Sequence, residues 1–418
     1  GGWMTGVWTK VGSLRTPREE HQAVLLPGRG QVLIIGGVDG AGNILASVEI
    51  YDTAARAVSA AASMAVARKQ HAVALLADGT VLVAGGLTHT GATDAVEICD
   101  PTTNTWSAGS RLKSPRFQHG AVPLDERTAV LVAGGLSAPF GEVVPTAEIY
   151  EVSKRAWRLA GSLKQGRRAP TVTALSDGRV LVAGGALHLG ALKSTEIYDP
   201  KLDAWVQGPS MSTERLGHAA SRLFDGRVLL AGGETASVDL VDPRFGLIPL
   251  ADLGSDRTGH TLTSTGADGR VVIVGGQGAG GSAGGYFAAV HLFDGAVRSW
   301  GTADSLLGTP RRDHRATLLL SGQILVSGGR DQSGPLGSLE LSRSYGAGSL
   351  QDGGLPTDAD GAGATDADGA GTTDADGSGV LIRFDGVAGA GDGLTVKPEE
   401  GCSCTTTLAP PVGSWWPL

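Results

Sequence analysis

Six tetrapeptides of the form Arg-x-x-His recur along this chain, and each stands before a short apolar run. They begin at Arg18, Arg68, Arg116, Arg215, Arg257 and Arg311 and end at His21, His71, His119, His218, His260 and His314. A seventh copy keeps Arg167 but has Pro170 in the histidine position. Guanidinium groups donate paired hydrogen bonds to carboxylate, sulfate and uronic-acid groups, so seven of them brought together would form an anion-binding surface.

The recurrence of these arginines supports two interpretations. A residue found in every copy of a repeat usually maintains contacts of the repeat, with the histidine bonded to nearby backbone and the arginine stem covering a junction. Pro170 favours this structural role, because a catalytic set tolerates the loss of one member poorly. In the second interpretation the arginines line a rim and bind a ligand. The two are compatible, and the predicted ligand-binding residues are Arg18, Arg68, Arg116, Arg167, Arg215, Arg257 and Arg311.

Signatures of catalysis and of metal binding are missing from the sequence. It contains no Gly-x-Ser-x-Gly elbow, no His-Glu-x-x-His and no phosphate-binding loop. His89 and His188 are isolated in surface loops, where a single histidine is ordinarily solvated. We therefore predict no catalytic residue, no metal site and no cofactor, although one or two placed side chains would suffice for acid–base catalysis.

Seven Gly-Gly doublets set the spacing of the chain: Gly36-Gly37, Gly85-Gly86, Gly134-Gly135, Gly184-Gly185, Gly232-Gly233, Gly275-Gly276 and Gly328-Gly329. The distances between them are 49, 49, 50, 48, 43 and 53 residues. A period near fifty is typical of a repeat array rather than of a domain with one core.

Residues 68–106 show one repeat most clearly. Apolar runs at 72–76 and 81–84 flank Asp78-Gly79, which predicts a two-residue hairpin turn in which both positions favour positive φ. The second run ends at Gly85-Gly86, where the backbone must bend or approach another segment without a Cβ. A loop of variable length leads to a third strand around Cys99 and a fourth around Trp106. Each repeat is thus predicted to be a four-stranded antiparallel sheet.

The third and fourth strands keep a fixed spacing in several copies. Nine residues separate Glu97, Glu148, Glu196 and His291 from Trp106, Trp157, Trp205 and Trp300, respectively. A Gly-Gly doublet followed by a Tyr and a Trp resembles the kelch repeat, and the resemblance covers about residues 1–346. It implies an all-β fold, a seven-bladed β-propeller around a central channel. The last repeat lacks its Trp, so we expect the N-terminal strand containing Trp8 to complete that blade and close the ring.

The resemblance also bears on function. In eukaryotic kelch propellers, arginines that enter the innermost strands hold acidic peptides, which supports the rim interpretation. Copper radical oxidases similar to galactose oxidase need a cross-linked Cys and Tyr, a second Tyr and paired histidines. Here Cys99 and Tyr51 share one repeated structural position and no adjacent histidine pair occurs, so that activity is not expected. Sugar mutarotases of the kelch type remain an alternative.

The charge distribution excludes one class of partner. The net charge of −8 lies in residues 351–418, which carry eleven acids and two bases, while residues 1–350 are close to neutral. A nucleic-acid-binding face needs concentrated basic charge, so no nucleic-acid partner is expected. No segment of the sequence has the roughly 20 apolar residues of a membrane-spanning helix.

The C-terminal region differs in composition from the repeats. Residues 347–400 are predicted to be a flexible acidic spacer in which Thr-Asp-Ala-Asp-Gly begins at Thr357, Thr365 and Thr373. The spacing of its carboxylates does not match an EF-hand loop, which leaves weak calcium association as an alternative. Residues 401–418 begin with Cys402-Ser403-Cys404 and resemble the start of a myxobacterial surface-sorting region.

These features lead to one functional hypothesis with two alternatives. We expect a secreted or cell-surface propeller that binds a protein, peptide or glycan, with an anionic ligand favoured, at the mouth of the channel without catalysis. The first alternative is a sugar-processing enzyme of the kelch mutarotase type. The second is a structural or adhesive protein that assembles through its blades.

Overall fold

The computed structural model describes residues 8–188, 190–266, 269–278 and 285–345. In these ranges the chain forms seven four-stranded antiparallel sheets, with single-turn 3-10 helices at η1 (Pro27–Arg29) and η2 (Asp125–Arg127). No helix of this part of the chain is long and apolar enough to span a membrane. The predicted acidic spacer, its calcium alternative and the Cys-x-Cys segment lie outside the described residues.

Each sheet is one blade, and its strands follow one another outward from the channel. Blade 1 contains β2 (Gln22–Leu26), β3 (Gln31–Ile35), β4 (Val48–Asp52) and β5 (Ala57–Ala61). Blade 2 contains β6 (Ala72–Leu75), β7 (Val81–Ala84), β10 (Val96–Asp100) and β11 (Thr105–Ala108). Blade 3 contains β12 (Gly120–Leu124), β13 (Ala129–Ala133), β14 (Thr146–Glu151) and β15 (Ala156–Ser162). Blade 4 contains β16 (Thr171–Ala174), β17 (Val180–Ala183), β18 (Thr195–Asp199) and β19 (Ala204–Gln207).

The remaining three blades follow the same plan. Blade 5 contains β20 (His218–Arg222), β21 (Val228–Gly232), β22 (Val238–Asp242) and β23 (Gly246–Leu250). Blade 6 contains β24 (Thr261–Ser264), β25 (Arg270–Val274), β26 (Ala289–Asp294) and β27 (Ser299–Leu306). Blade 7 contains β28 (Arg315–Leu318), β29 (Gln323–Ser327), β32 (Ser338–Ser344) and β1 (Thr9–Ser13). Loops of blades 2 and 7 form two small hairpins, β8 (Leu87–Thr88) with β9 (Gly91–Ala92) and β30 (Arg330–Asp331) with β31 (Gly334–Pro335).

The blades form a closed ring of seven, as the sequence predicts. The innermost strands of neighbouring blades contact one another all the way around, and β28 of blade 7 contacts β2 of blade 1. The first strand of the chain pairs with the last, from Thr9 opposite Leu341 to Ser13 opposite Ser338. Trp8 is buried at 7% exposure. The outermost strand of blade 7 therefore comes from the other end of the propeller, which ties the two ends together.

The core lies between the blades because each sheet packs on both of its faces. In β7, Val81, Leu82, Val83 and Ala84 are all fully buried, which explains why this strand is apolar at every position. Tryptophans of the outermost strands link adjacent blades. The indole N–H of Trp157 donates to the carbonyl of Ser110 at 2.9 Å, and its ring lies 5.2 Å from the ring of Tyr150 on the neighbouring strand.

The hairpin turns differ from the predicted two-residue type. Gly79 has a φ of 80°, but Asp78 is not among the residues with positive φ. The N–H of Leu76 donates to the carbonyl of Thr80 at 2.8 Å, so the loop has three residues and the glycine supplies the left-handed position. Asp is favoured beside it because its carboxylate accepts the N–H of Thr80 at 3.0 Å.

The Gly-Gly doublets mark a close approach between blades. Gly85 has a φ of 63°, and a Cβ there would lie 2.6 Å from the carbonyl oxygen of Arg116 and 2.7 Å from the ring of His119, both of the next blade. Gly79 also has positive φ, at 80°, but a Cβ there would meet no atom within 4 Å. The doublet is thus required by packing between blades as well as by backbone conformation.

This difference gives a matched pair of variants. Gly79→Ala adds only left-handed backbone strain, which costs about 1–2 kcal/mol. Gly85→Ala adds the same strain and forces Arg116 and His119 away, so we expect a further loss of about 1–3 kcal/mol. Chemical denaturation followed by circular dichroism measures both. Equal losses for the two variants would show that the close approach between blades does not affect the free energy of unfolding.

Candidate functional site

The seven predicted arginines lie inside the blades. Each stands in the connection that leads into an innermost strand, and none is more than 1% exposed. Each guanidinium turns into its own blade and donates through Nη1 to the carbonyl of the first glycine of the doublet. These pairs are Arg18–Gly36, Arg68–Gly85, Arg116–Gly134, Arg167–Gly184, Arg215–Gly232, Arg257–Gly275 and Arg311–Gly328.

Six of the seven arginines form a buried ion pair with an acid of the third strand of the same blade. The pairs are Arg18–Glu49, Arg68–Glu97, Arg116–Glu148, Arg167–Glu196, Arg215–Asp239 and Arg311–Glu340. In blade 2 the Nη2 of Arg68 lies 2.7 Å from Glu97. The same carboxylate accepts the N–H groups of Ala65 at 2.6 Å and Val66 at 3.1 Å. One carboxylate therefore accepts hydrogen bonds both from the arginine and from the loop that precedes it.

This placement corrects the expectation of an exposed arginine rim. Arg18, Arg68, Arg116, Arg167, Arg215, Arg257 and Arg311 present no guanidinium to the channel, because internal carbonyls and carboxylates hold them. A ligand would have to displace those partners to reach them. The signal for this arrangement was present in the sequence, since the third-strand acid recurs in the same repeats as the arginine.

The backbone of the same arginines joins neighbouring blades. The N–H of the second glycine of each doublet donates to the carbonyl of the arginine of the next blade, at 2.8–3.0 Å. The seven bonds are Gly37–Arg68, Gly86–Arg116, Gly135–Arg167, Gly185–Arg215, Gly233–Arg257, Gly276–Arg311 and Gly329–Arg18. The last of them closes the ring between blades 7 and 1. Each arginine thus organises its own blade by its side chain and the preceding junction by its main chain.

The histidines of the tetrapeptides reach into the preceding blade. The Nε2 of His218 lies 3.0 Å from the hydroxyl of Thr171 of blade 4, and that of His260 lies 3.1 Å from the carbonyl of Ala231 of blade 5. Burial lowers the pKa of His119, His218 and His260 to about 3, assisted by the nearby arginines. These rings are therefore neutral at physiological pH. Pro170 takes the place of the imidazole against Gly134 of blade 3.

Blade 6 is the exception to the ion-pair pattern. His291 occupies the position of the third-strand acid, and its Nε2 lies 3.1 Å from the Nη2 of Arg257. The guanidinium of Arg257 also lies over the ring of Phe287, with its carbon 4.9 Å from the ring centre. Burial lowers the pKa of Arg257 to about 10, and no acid opposes the shift. Burial and Arg257 together lower the pKa of His291 to about 4, so the imidazole is neutral.

Comparison with known proteins agrees with this geometry. A kelch motif model matches residues 24–65 and 167–212, which include Arg167, two Gly-Gly doublets and two third-strand acids. The chain is a kelch-repeat β-propeller.

Several known proteins resemble part of this propeller. Kelch-like protein 35 of Mus musculus is 32% identical over 179 residues, which are 43% of this chain and 29% of that protein. Beta-scruin of Limulus polyphemus is 27% identical over 189 residues, 42% of this chain and 20% of that protein. The match thus spans less than a third of the length of each relative. A fungal alcohol oxidase in complex with copper superimposes with a TM-score of 0.65 at 18% identity, covering 84% of this chain and 78% of that one, which shows the fold alone.

The residues that do face the channel follow the buried arginines. The second residue after each arginine has positive φ, and this position holds Glu20, Gln70, Gln118, Ala169, Gly217, Gly259 and Asp313. Main-chain hydrogen bonds connect these positions between blades, for example from Gln70 to Glu20 at 3.2 Å and from Asp313 to Gly259 at 2.8 Å. They therefore surround one end of the channel of the kelch propeller.

A polar cavity of about 510 Å³ opens beside this ring, between blades 7, 1 and 2. We call it the mouth cavity. Its charged lining includes Glu19, Glu20, Lys69, Arg312, Asp313 and Arg330. Arg330 lies 3.0 Å from Glu19 and Lys69 lies 2.7 Å from Glu20. Burial raises the pKa of Asp313 and of Glu19, while the neighbouring arginines oppose the shift. Sequence reasoning missed this set, because the residue types at these positions differ from blade to blade, unlike the recurring arginines beside them.

The other residues considered for chemistry lie elsewhere. His188 is partly exposed and its Nε2 lies 3.5 Å from Glu142 of the neighbouring blade, while His89 is exposed in the loop of blade 2. Cys99 is a buried free thiol whose pKa burial raises to about 11. Within the described ranges, no three His, Cys, Asp or Glu side chains group as metal ligands.

The buried ion pairs should contribute strongly to stability. Glu97→Gln removes the charge that compensates Arg68 while preserving the shape of the side chain. Leaving a buried cation without its acid costs about 3–5 kcal/mol. Glu151→Gln is the control, because Glu151 pairs with Lys154 and Arg158, whose side chains are 70% and 39% exposed, and each pair of this kind contributes about 1 kcal/mol or less. Thermal unfolding compares the two, and equal effects would contradict an architectural role for Arg68.

The buried histidines should make the propeller sensitive to acid. The pKa of His119, His218 and His260 is about 3 in the folded state and about 6.5 when unfolded, so between these values protons bind the unfolded chain preferentially. Stability is unaffected above about pH 6.5 and falls below it, by up to about 1.4 kcal/mol per pH unit for each ring. We expect His218→Gln to flatten the decline of the denaturation midpoint between pH 6.5 and pH 5. His89→Gln, at an exposed position, should keep the original slope. Identical slopes for the unchanged protein and both variants would show that the buried histidines do not cause the acid sensitivity.

Proposed function

We propose that this kelch propeller is a non-catalytic binding module that captures a protein or peptide at the mouth cavity. Kelch propellers generally act as protein-binding modules, which supports the class of function. The observation that supports the location is the concentration of charged side chains in one open cavity of about 510 Å³. The seven recurring arginines, in contrast, are occupied within the blades.

The mouth cavity offers hydrogen-bond donors to an extended ligand. Arg312 and Arg330 are about one third exposed, at 33% and 34%, although each lies against one acid. Each planar guanidinium has five N–H donors, so one acid leaves donors for a ligand carboxylate or main-chain carbonyl. Glu20 and Asp313 line the same cavity, and their carboxylates would accept N–H groups. A peptide that carries an acidic side chain satisfies both requirements, which supports the anionic ligand expected from the sequence.

A glycan ligand and a location outside the cell are finer parts of the same proposal. Sulfated or uronic-acid sugars would bind the same guanidinium groups as an acidic peptide. The support for secretion or surface display is the acidic spacer and the Cys402-Ser403-Cys404 segment of the sequence. Cell fractionation with an antibody against the propeller tests the location, and confinement to the cytoplasm would overturn it.

The binding proposal can be tested with matched arginine variants. Peptide and glycan arrays probed with the full chain supply a ligand, and titration calorimetry measures its affinity. The double variant Arg312→Ala/Arg330→Ala should weaken binding at least tenfold at low salt, because two charge-assisted contacts are lost. Arg244→Ala is the control, since Arg244 is exposed and paired with Asp242 in a hairpin turn of blade 5.

Three outcomes would contradict the proposal. The arrays could yield no ligand, the double variant could bind as the unchanged protein does, or Arg244→Ala could weaken binding equally. Turnover in a reducing-sugar anomerisation assay would instead support the mutarotase alternative.

A further inference from the structure

In blade 6 the third-strand acid is replaced by His291. In blade 2 the carboxylate of Glu97 accepts three hydrogen bonds, from Arg68 and from two consecutive loop N–H groups. The same three donors converge on Glu49, Glu148, Glu196 and Glu340 in blades 1, 3, 4 and 7. A neutral imidazole nitrogen accepts only one hydrogen bond. Blade 6 therefore has more donors than internal acceptors.

The unmatched donors can be identified by position. The loop N–H groups that correspond to those of Ala65 and Val66 belong to Gly254 and Ser255. Neither N–H reaches an acceptor within the described part of the chain. Arg257 donates to Gly275, to the hydroxyl of Ser255 and to His291, and no carboxylate lies against it in the same ranges. Arg257, which is 1% exposed, thus has no carboxylate beside it, and two main-chain donors of the loop that precedes it have no internal acceptor among the described residues.

The loop that carries these two donors reaches the solvent. Gly254 is exposed, and a Cβ at its position would meet no atom within 4 Å. At Gly308, the corresponding residue of blade 7, a Cβ would lie 3.3 Å from the carboxylate of Glu340. Gly254 also has a φ of 79°, which Gly308 does not share. The loop of blade 6 therefore differs in conformation at the point where the carboxylate is missing.

We propose that blade 6 binds a small carboxylate anion between Arg257 and the N–H groups of Gly254 and Ser255. The ligand supplies, beside His291, the carboxylate that this blade lacks, so formate or acetate is the matching size. Binding supplies a compensating charge to Arg257 and acceptors to the two loop donors. The site is separate from the mouth cavity, whose lining comes from blades 7, 1 and 2, and it does not depend on the function proposed there.

The decisive experiment compares three versions of the full chain. A ligand that binds only the folded state raises its melting temperature with concentration. Sodium formate should therefore raise the melting temperature of the unchanged protein and of His291→Gln, which still lacks the acid. His291→Glu should be more stable without formate and should gain nothing from it, because its own carboxylate fills the site.

Two results would overturn the proposal. One is an equal formate response in all three proteins, which would indicate a general salt effect. The other is the absence of a formate response in the unchanged protein. If His291→Glu does not fold, the line width of ¹³C-formate decides: we expect broadening on addition of the unchanged protein, its removal by excess acetate, and no such broadening if the site does not exist.

Discussion

The buried guanidinium of each repeat is the interaction on which this propeller depends. It joins three segments of one blade: the connection from the previous blade, the end of the second strand and the third strand. In blade 2 the side chain of Arg68 contacts Gly85, Ala95 and Glu97, while its carbonyl accepts the N–H of Gly37 from blade 1. One residue thus fixes both the internal geometry of a blade and its distance from its neighbour. The same hydrogen bond runs from Gly329 of blade 7 back to Arg18 of blade 1 and completes the ring of seven blades.

This frame of buried arginines and Gly-Gly doublets is separate from the residues that vary around it. The position two residues after each arginine lies on the channel and keeps the same left-handed backbone, although it holds a glutamate in blade 1, an alanine in blade 4 and a glycine in blade 5. The main chain carries the geometry, so the side chain is free to change. In blades 7 and 1 these positions hold Asp313 and Glu20, which supply two of the charged side chains of the mouth cavity. A constant frame with variable neighbours is how repeat folds support different binding surfaces.

The sequence was a good guide to the fold and a poor guide to the site. The spacing of the Gly-Gly doublets predicted the seven blades, and the orphan Trp8 strand predicted the closure. The arginines were harder to place, because the sequence alone does not show whether a recurring cation points to solvent or into the sheet. The third-strand acid distinguishes the two cases, since Glu97 is 4% exposed and would be costly to bury without a cation. The hairpin loops have three residues instead of the predicted two, because Asp78 does not adopt a positive φ and its carboxylate accepts an N–H instead.

A buried ion pair is not by itself a reason to retain an arginine, because desolvation offsets most of the Coulomb attraction. The backbone gives a better reason. An apolar side chain in place of Arg68 would leave the carbonyl of Gly85 without its donor, and an unsatisfied buried polar group costs about 1–3 kcal/mol. Blade 6 supports this explanation, since it has lost the acid but keeps Arg257 bonded to the carbonyl of Gly275. The acid therefore compensates the charge of the arginine, while the arginine itself is needed as the hydrogen-bond donor to the first glycine of the doublet.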